Sequence, residues 1–319
     1  LSGLLSTPVK FIDQCIGNKV VEVSEALQPG EILLIENLRF YAEETSGDLN
    51  FAEQLSKLGD VYVNDAFGSA HRNHASTSVI AQFFSKKKCF GYVMENEIKN
   101  INKLMSGKNK PFTAIVGGAK VSSKITVIIQ MLEHIDNLII GGGMAYTFVK
   151  AMGGEVASSI VEEDKLGLAL QIIETARSKG VCLYIPSDSI NADKFDDNAN
   201  KNQSPANKIP NGNIGLDIGP KTIKQFSKII AESSTILWNG PMGVFEMKSF
   251  EHGTKAIAQA LVDATTKGAF TLIGGGDSVA AINKYNMSDK VSYISTGGGA
   301  LLEYLEGLVL PGIKAIVED

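Results

Sequence analysis

Short, mainly apolar runs alternate along the chain with segments whose apolar positions recur every three or four residues. In the first part the runs are PVKFID at 8–13, EILLIEN at 31–37 and VYVNDAF at 61–67, and LNFAEQLSKL at 49–58 reads as a helix between the last two. The second part repeats the pattern with FTAIV at 112–116, NLIIG at 137–141, VCLYIP at 181–186, STILWN at 234–239, FTLIG at 270–274 and VSYIS at 291–295. Strands that are apolar on both faces belong to parallel sheets covered by helices on each side. Their alternation with helical patterns predicts an α/β, three-layer αβα architecture of two doubly wound, Rossmann-like parallel-sheet domains.

The boundary between these domains is expected in 94–112, MENEIKNINKLMSGKNKPF, where a helix carrying Ile98, Ile101, Leu104 and Met105 meets a polar breaker from Gly107 to Pro111. That places a first domain at 1–93, a linker helix at 94–110 and a second domain from 111 to 305. The segment 187–220 is polar, with scattered Pro and Gly, and reads as a long ordered loop or a meander of short strands. The opening LSGLLSTPVKFID reads as the tail of a helix running directly into a strand, without the basic and long apolar regions of a signal peptide. The expectation is a chain cut into an element of something longer.

Composition narrows the class. Of 319 residues, 44% are hydrophobic and 20% charged, as in an ordinary soluble protein, and the net charge of −5 argues against a nucleic-acid partner. The basic triplet Lys86, Lys87 and Lys88 reads as a solvated turn. Apolar runs such as LIIGGGMAYTFV at 138–149 are glycine-interrupted and fall short of the roughly 20 residues of a membrane span, so no membrane contact is expected. Cys15, Cys89 and Cys182 are an odd number without a CxxC, which suits a reducing cytoplasm and neither a disulfide framework nor a zinc site.

Glycine recurs at one structural place. Gly117–Gly118, Gly141–Gly143, Gly274–Gly276 and Gly297–Gly299 each end a predicted strand ahead of a helical pattern. This is the carboxyl edge of a doubly wound sheet, where backbone can approach a ligand and helix N-termini face phosphates. The dinucleotide spacing G-x-G-x-x-G fails, since Gly141 and Gly143 are followed by Tyr146, Gly274 and Gly276 by Val279, and Gly297 and Gly299 by Leu302. A Walker A loop from Gly117 would need Gly where Ser122 stands. A phosphorylated ligand held in another way is expected.

Lys120 and Lys124 then bear on the chemistry. If a helix begins just after Gly118, Lys120 lies in its first turn and Lys124 one turn on, where two cations oppose each other and the helix dipole. An anion there relieves both conflicts; otherwise both lysines face solvent. Asp277, after the third glycine cluster and before Ser278, is either an N-cap or a ligand of Mg²⁺ beside phosphates. Asn239, Pro241 and Gly243 shape the turn WNGPMGVFE at 238–246, where Glu246 follows Val244 and Phe245. A carboxylate beside an apolar wall suits ribose hydroxyls and a base.

Together, ENLRF at 36–40, NDAFGSAHR at 64–72, GGAKVSSK at 117–124, GGGMA at 141–145, GLDIGP at 215–220, WNGPMGVFE at 238–246, GGGDS at 274–278 and TGGGA at 296–300 closely resemble the phosphoglycerate kinase family along essentially the whole chain. The resemblance implies reversible phosphoryl transfer between 1,3-bisphosphoglycerate and MgADP, giving 3-phosphoglycerate and MgATP. It implies a monomer whose N-terminal lobe binds the glycerate, whose C-terminal lobe binds the nucleotide, and whose hinge closes the gap. The N-terminal lobe would comprise 1–93 together with the returning segment 306–319. Carried over, Lys124 lies on the nucleotide phosphates and the transferred group, with Lys120 as its partner. Gly275, Gly276, Asp277 and Ser278 form the phosphate and metal loop, with Asp277 on Mg²⁺. Glu246 takes the ribose, Gly215, Leu216 and Val244 line the adenine site, and Gly117, Gly118, Gly142, Gly143, Asn239, Pro241 and Gly243 complete the nucleotide site. The helix start at Gly298 and Gly299 faces the transferring phosphoryl. Arg39 and Arg72 grip the non-transferring phosphate, although by themselves they read equally as surface ion-pair partners. His71 and His74 receive no chemistry.

The family's Asp-x-Asn segment, its catalytic arginine and a His and Arg in a glycine-containing loop have no counterpart before Leu1, and Asn213 stands where relatives often have Trp. Two other function classes follow from these facts and from the fold: a nucleotide-binding protein without turnover, and a nicotinamide-dependent oxidoreductase, which the glycine spacings disfavour. A lobe built from both ends of the chain and cut at its start is expected to expose apolar surface.

Overall fold

The computed structural model describes residues 1–107 and 109–318, so Lys108 of the expected linker and Asp319 of the expected C-terminal segment lie outside the described residues. The chain forms two compact units, residues 1–98 with the segment from Leu308, and residues 99–307. The division falls inside the helix Tyr92–Met105.

The smaller unit carries β1 (Val9–Ile12) paired in parallel with β2 (Ile32–Ile35), and β3 (Tyr62–Asn64) paired in parallel with β4 (Lys88–Phe90). Strand β4 holds Lys88 of the triplet expected as a turn, and its ammonium donates to the Glu318 carbonyl at 2.6 Å. Phe51, Leu55, Ile80 and Phe84 form the core beside the buried thiol of Cys15. The C-terminal helix Pro311–Val317 docks here: Gly312 N–H donates to Ala70 O at 2.8 Å, and the buried Asn64 amide donates to Thr77 O at 2.9 Å and Gly312 O at 3.2 Å. Phe11 and its register partner Leu34 are exposed, as are Val61 and Val63.

The larger unit is built on a six-stranded, all-parallel sheet. Its strands are β5 (Phe112–Val116), β6 (Asn137–Ile140), β7 (Cys182–Tyr184), β11 (Thr235–Asn239), β12 (Phe270–Ile273) and β13 (Tyr293–Ile294), ordered β7-β6-β5-β11-β12-β13. The four inner strands, β6, β5, β11 and β12, read as apolar runs because both faces are covered. One buried row crosses four strands as Ile139, Ile115, Trp238 and Ile273, and packs with Phe226, Ile257 and Leu261 from the helices Pro220–Ala231 and His252–Thr266. The row on the other face, Leu138, Ala114, Leu237 and Leu272, is fully buried as well.

The polar segment at 187–220 is an antiparallel sheet of β8 (Asp188–Ala192), β9 (Lys201–Pro205) and β10 (Ile214–Ile218), ordered β10-β8-β9. It is tied to the main layer by buried Asp188, whose carboxylate accepts from the N–H groups of Lys221 at 3.0 Å and Thr222 at 2.8 Å in the first turn of Pro220–Ala231. The β10–β8 register shifts between Gly215 and Asp217, so Leu216 is an extra, unpaired residue. Such a bulge re-aims its side chain.

Candidate active site

In this strand order the chain leaves β5 toward β6 and β7 on one side and toward β11, β12 and β13 on the other. The crevice beyond the carboxyl ends of β5 and β11 is therefore the topological switch point, where doubly wound sheets bind ligands. Gly117 N–H donates to Asn239 O at 2.9 Å, Gly118 N–H to Pro241 O at 3.2 Å and Gly142 N–H to Met242 O at 3.1 Å, so three strand ends are stitched together by backbone. A β-carbon on Gly117 would stand 2.7 Å from Gly240 O and closer still to Pro241 O. Gly240, which the sequence reading passed over, is its reciprocal partner, at φ +109° and against Gly117 O. Only hydrogen at both positions lets the two turns approach.

The helix after β5 starts later than its apolar pattern suggests. It spans Ile125–Met131, and Lys124 is its N-cap residue. Residues 118–123 form a loop turned by Ser122 and Ser123, so Lys120 is an exposed loop residue and does not share a helix face with Lys124. Lys124 is half-buried, and its ammonium donates to Asn239 Oδ1. Burial holds its pKa below the usual lysine range, against the opposing pull of the Asp277 carboxylate. Asn239 is 1% exposed, and its Nδ2 has no hydrogen-bond partner among the described residues. That donor lies 3.0 Å from where a β-carbon of Gly275 would stand. Gly275, at φ +88°, is the N-cap of the helix Gly276–Lys284. Asp277 is thus exposed in the first turn and does not cap the helix, while buried Ser278 Oγ accepts Gly240 N–H at 2.5 Å. Gly298 caps the helix Gly299–Leu305.

Beside these groups is a cavity of about 440 Å³. Gly118, Gly142, Gly143, Gly215, Leu216, Pro241, Gly243, Val244, Glu246 and Asp277 all line it. Phe245 does not, being buried in the core under the sheet. Tyr146, Ile160 and Phe195 also line the cavity. Phe195 had a signal, an aromatic in an otherwise polar segment and 62% exposed, whereas Ile160 stands in a loop with no pattern. Beneath the cavity, Asp217 accepts Gly253 N–H at 2.7 Å and Ile218 N–H at 2.9 Å. Burial nevertheless dominates those bonds and pushes its pKa up to about 7. Two other cavities have larger volumes. One, about 500 Å³, lies at the opposite, amino edge around Lys110, Asn137 and Cys182, and the other, about 540 Å³, lies in the smaller unit between residues 73–88 and the C-terminal helix. Neither contains a glycine-rich strand end, and the carboxyl edge is the one that binds ligands in such sheets.

In the smaller unit, Arg39 and Arg72 are both exposed, and neither makes an ion pair among the described residues. Arg72 Nε donates to His71 Nε2 at 3.3 Å. His74 is buried, with its Nδ1 3.9 Å from Glu44 Oε1. Its pKa is lowered, first by burial and then by the positive charge of Arg39, against the pull of Glu44.

A family model described as phosphoglycerate kinase matches residues 1–308. A protein named phosphoglycerate kinase from Porphyromonas gingivalis is 49% identical over 340 residues, covering 99% of this chain and 81% of its own. A chloroplastic phosphoglycerate kinase from Volvox carteri is 52% identical, covering 100% of this chain and 69% of its own. Among solved structures, phosphoglycerate kinase from Coxiella burnetii superimposes with a TM-score of 0.89 at 38% identity, covering 100% of this chain and 79% of that one.

Proposed function

The chain belongs to the phosphoglycerate kinase family, and from that premise we propose that it transfers a phosphoryl group reversibly between the acyl phosphate of 1,3-bisphosphoglycerate and MgADP. The observation that carries this is the pair Lys124 and Asn239 at the switch point. A half-buried ammonium is bonded to a buried amide whose own N–H donors have no partner. Two such donors beside a glycine turn suit a phosphate oxygen, because an unsatisfied buried donor costs about 1–3 kcal/mol.

In this site the nucleotide base lies in the cavity against Gly215, Leu216 and Val244, and Glu246 receives the ribose hydroxyls. The phosphates run over Gly118, Gly142 and Gly143 to the Gly275–Ser278 turn, where the first N–H groups of Gly276–Lys284 face them. A β-phosphate oxygen of ADP attacks the acyl phosphorus in line, the bond between that phosphorus and the bridging acyl oxygen breaks, and the carboxylate of 3-phosphoglycerate leaves with the electron pair. No covalent enzyme intermediate forms. Catalysis then consists of positioning and of neutralising the charge on the phosphoryl oxygens. Lys124 carries that task, assisted by Lys120 and by backbone N–H groups at Gly298 and Gly299, while Arg39 and Arg72 hold the non-transferring phosphate with their planar forks.

Asp277 is the carboxylate that fits Mg²⁺. No cluster of three metal-binding side chains occurs among the described residues, and a lone carboxylate at the phosphate turn matches an ion that takes one or two protein oxygens plus substrate phosphates. When bound, Mg²⁺ supplies further charge neutralisation on the phosphates. The three free cysteines support a reducing compartment, the cytoplasm, and the family resemblance alone carries the reading of a monomer. No helix among the described residues is long and apolar enough to cross a membrane.

The test is Lys124→Ala. Its 3-phosphoglycerate-dependent turnover of MgATP falls by about 10²–10³, the loss typical of removing one transition-state donor. Turnover within a factor of three of the parent protein would refute the role given to Lys124.

A further inference from the structure

Residues 158–162 touch both ends of the proposed nucleotide site. On the base side, Ser158 and Ile160 line the cavity, and Ser159 Oγ accepts Gly215 N–H at 2.9 Å. On the lysine side, the Glu162 carboxylate accepts Ser122 N–H at 3.0 Å through one oxygen and the Ser122 hydroxyl at 2.5 Å through the other. Val121 N–H also donates to it. The strap itself is anchored, because Glu162 N–H donates to the buried Thr147 hydroxyl at 3.1 Å on the helix Met144–Ala151 that follows the second glycine turn.

Ser122 and Val121 lie between Lys120 and Lys124. Within the loop, Lys124 N–H donates to Val121 O at 2.9 Å and the Ser123 hydroxyl to Lys120 O at 2.9 Å, whereas the N–H groups of Val121 and Ser122 find their acceptor outside it, on Glu162. Glu162 supplies acceptors for two consecutive N–H groups and a hydroxyl. Burial pushes the Glu162 pKa up, but these hydrogen bonds together outweigh it and hold the carboxylate below its usual range. An ionised carboxylate bonded to backbone N–H is among the stronger fixings available to a loop. Lys150 pairs with Glu163 and Lys165 with Asp164, while the hydrogen bonds of the Glu162 carboxylate go to the lysine loop.

We propose that Glu162 is a positioning residue for phosphoryl transfer, tethering the 120–124 loop so that Lys124 meets the nucleotide phosphates and linking that loop to the wall of the base cavity. This rests on the reading of the larger unit as a nucleotide site. It concerns no group that touches substrate. A residue acting in this way affects ligands in proportion to their phosphates and leaves the base end unchanged.

The experiment is calorimetric titration of the full chain and its Glu162→Ala, Glu162→Gln and Ser122→Ala variants with adenosine, AMP and MgADP. In Glu162→Ala the Kd for MgADP rises by about tenfold, the size expected from losing charge-assisted bonds that fix one loop, while the Kd for adenosine stays within twofold. Glu162→Gln, which keeps the volume but puts an NH₂ against an N–H donor, shows an intermediate loss. Adding Ser122→Ala to Glu162→Ala produces no further weakening, because the two act through one contact. An equal loss for adenosine and MgADP would make Glu162 a part of the general scaffold and overturn the proposal, as would an unchanged MgADP affinity or fully additive effects. Failure of the parent chain to bind MgADP at all would overturn the nucleotide site itself, a result distinct from all of these.

Discussion

Asp217 ties the pH response of the larger unit to one buried carboxyl. The residue is 2% exposed under the nucleotide cavity, and its pKa of about 7 lies some three units above that of an exposed aspartate. Because the native value is raised, the native state holds a proton that the unfolded chain has released between about pH 4 and pH 7. The contribution of Asp217 to stability is therefore fully present below the unfolded pKa and is lost as pH rises through the native one. The full loss is about 4 kcal/mol, of which about 3 kcal/mol falls between pH 5 and pH 8. Asp217→Asn removes the titration and leaves a neutral side chain of the same shape. The assay is urea unfolding of both proteins at pH 5 and pH 8, followed by fluorescence of Trp238. This is the sole tryptophan and is fully buried on β11, with its indole N–H on Gly240 O at 2.8 Å, so it reports on this unit alone. The variant gains on the parent by about 3 kcal/mol between the two pH values, whatever its absolute stability. An equal pH dependence of the two proteins would refute the assignment of a raised pKa to Asp217.

Three further outcomes are expected. Gly117→Ala drives a methyl group into the Pro241 and Gly240 carbonyls and lowers stability by about 3 kcal/mol or more in the Trp238 unfolding assay; a neutral effect would show that the two turns are not held together. Arg72→Ala raises the KM for 3-phosphoglycerate about tenfold, as for a lost charge-assisted bond, with the KM for MgATP unchanged; steady-state kinetics varying each substrate in turn separates the two. Asn64→Ala removes the amide that bridges Thr77 and Gly312, and leaves two carbonyls short of a donor. Hydrogen exchange in the helix Pro311–Val317 then speeds up by at least tenfold, and unchanged protection would show that this helix docks without Asn64.

Much of the larger unit was legible because burial on both faces leaves continuous apolar runs at its four inner strands, and the half-buried edge strands β7 and β13 also stand inside apolar runs. The glycine clusters were legible for the same reason, as breaks at the ends of those runs. Strand β4 was not, since Lys88, Cys89 and Phe90 are only three residues, partly exposed, and directly follow two lysines. The helix after β5 was placed too early because Val121, buried as a helical residue would be, continues the apolar pattern through a loop. What holds that loop is a carboxylate 40 positions away, which no local periodicity contains. Asn239 did leave a trace, as the amide that ends the apolar run STILWN. That its Nδ2 is buried without a partner emerges only when Gly275, from a different strand end, is brought beside it.

The most direct measurement is a crystal structure of the chain grown with MgADP. The prediction is a base in the cavity of about 440 Å³ against Leu216 and Val244, with phosphate oxygens within hydrogen-bond distance of Lys124 Nζ and Asn239 Nδ2. Nucleotide at the opposite edge of the sheet, around Lys110 and Cys182, or phosphates that leave Asn239 Nδ2 without an acceptor, would contradict the assignment of the β5–β11 switch point as the active site.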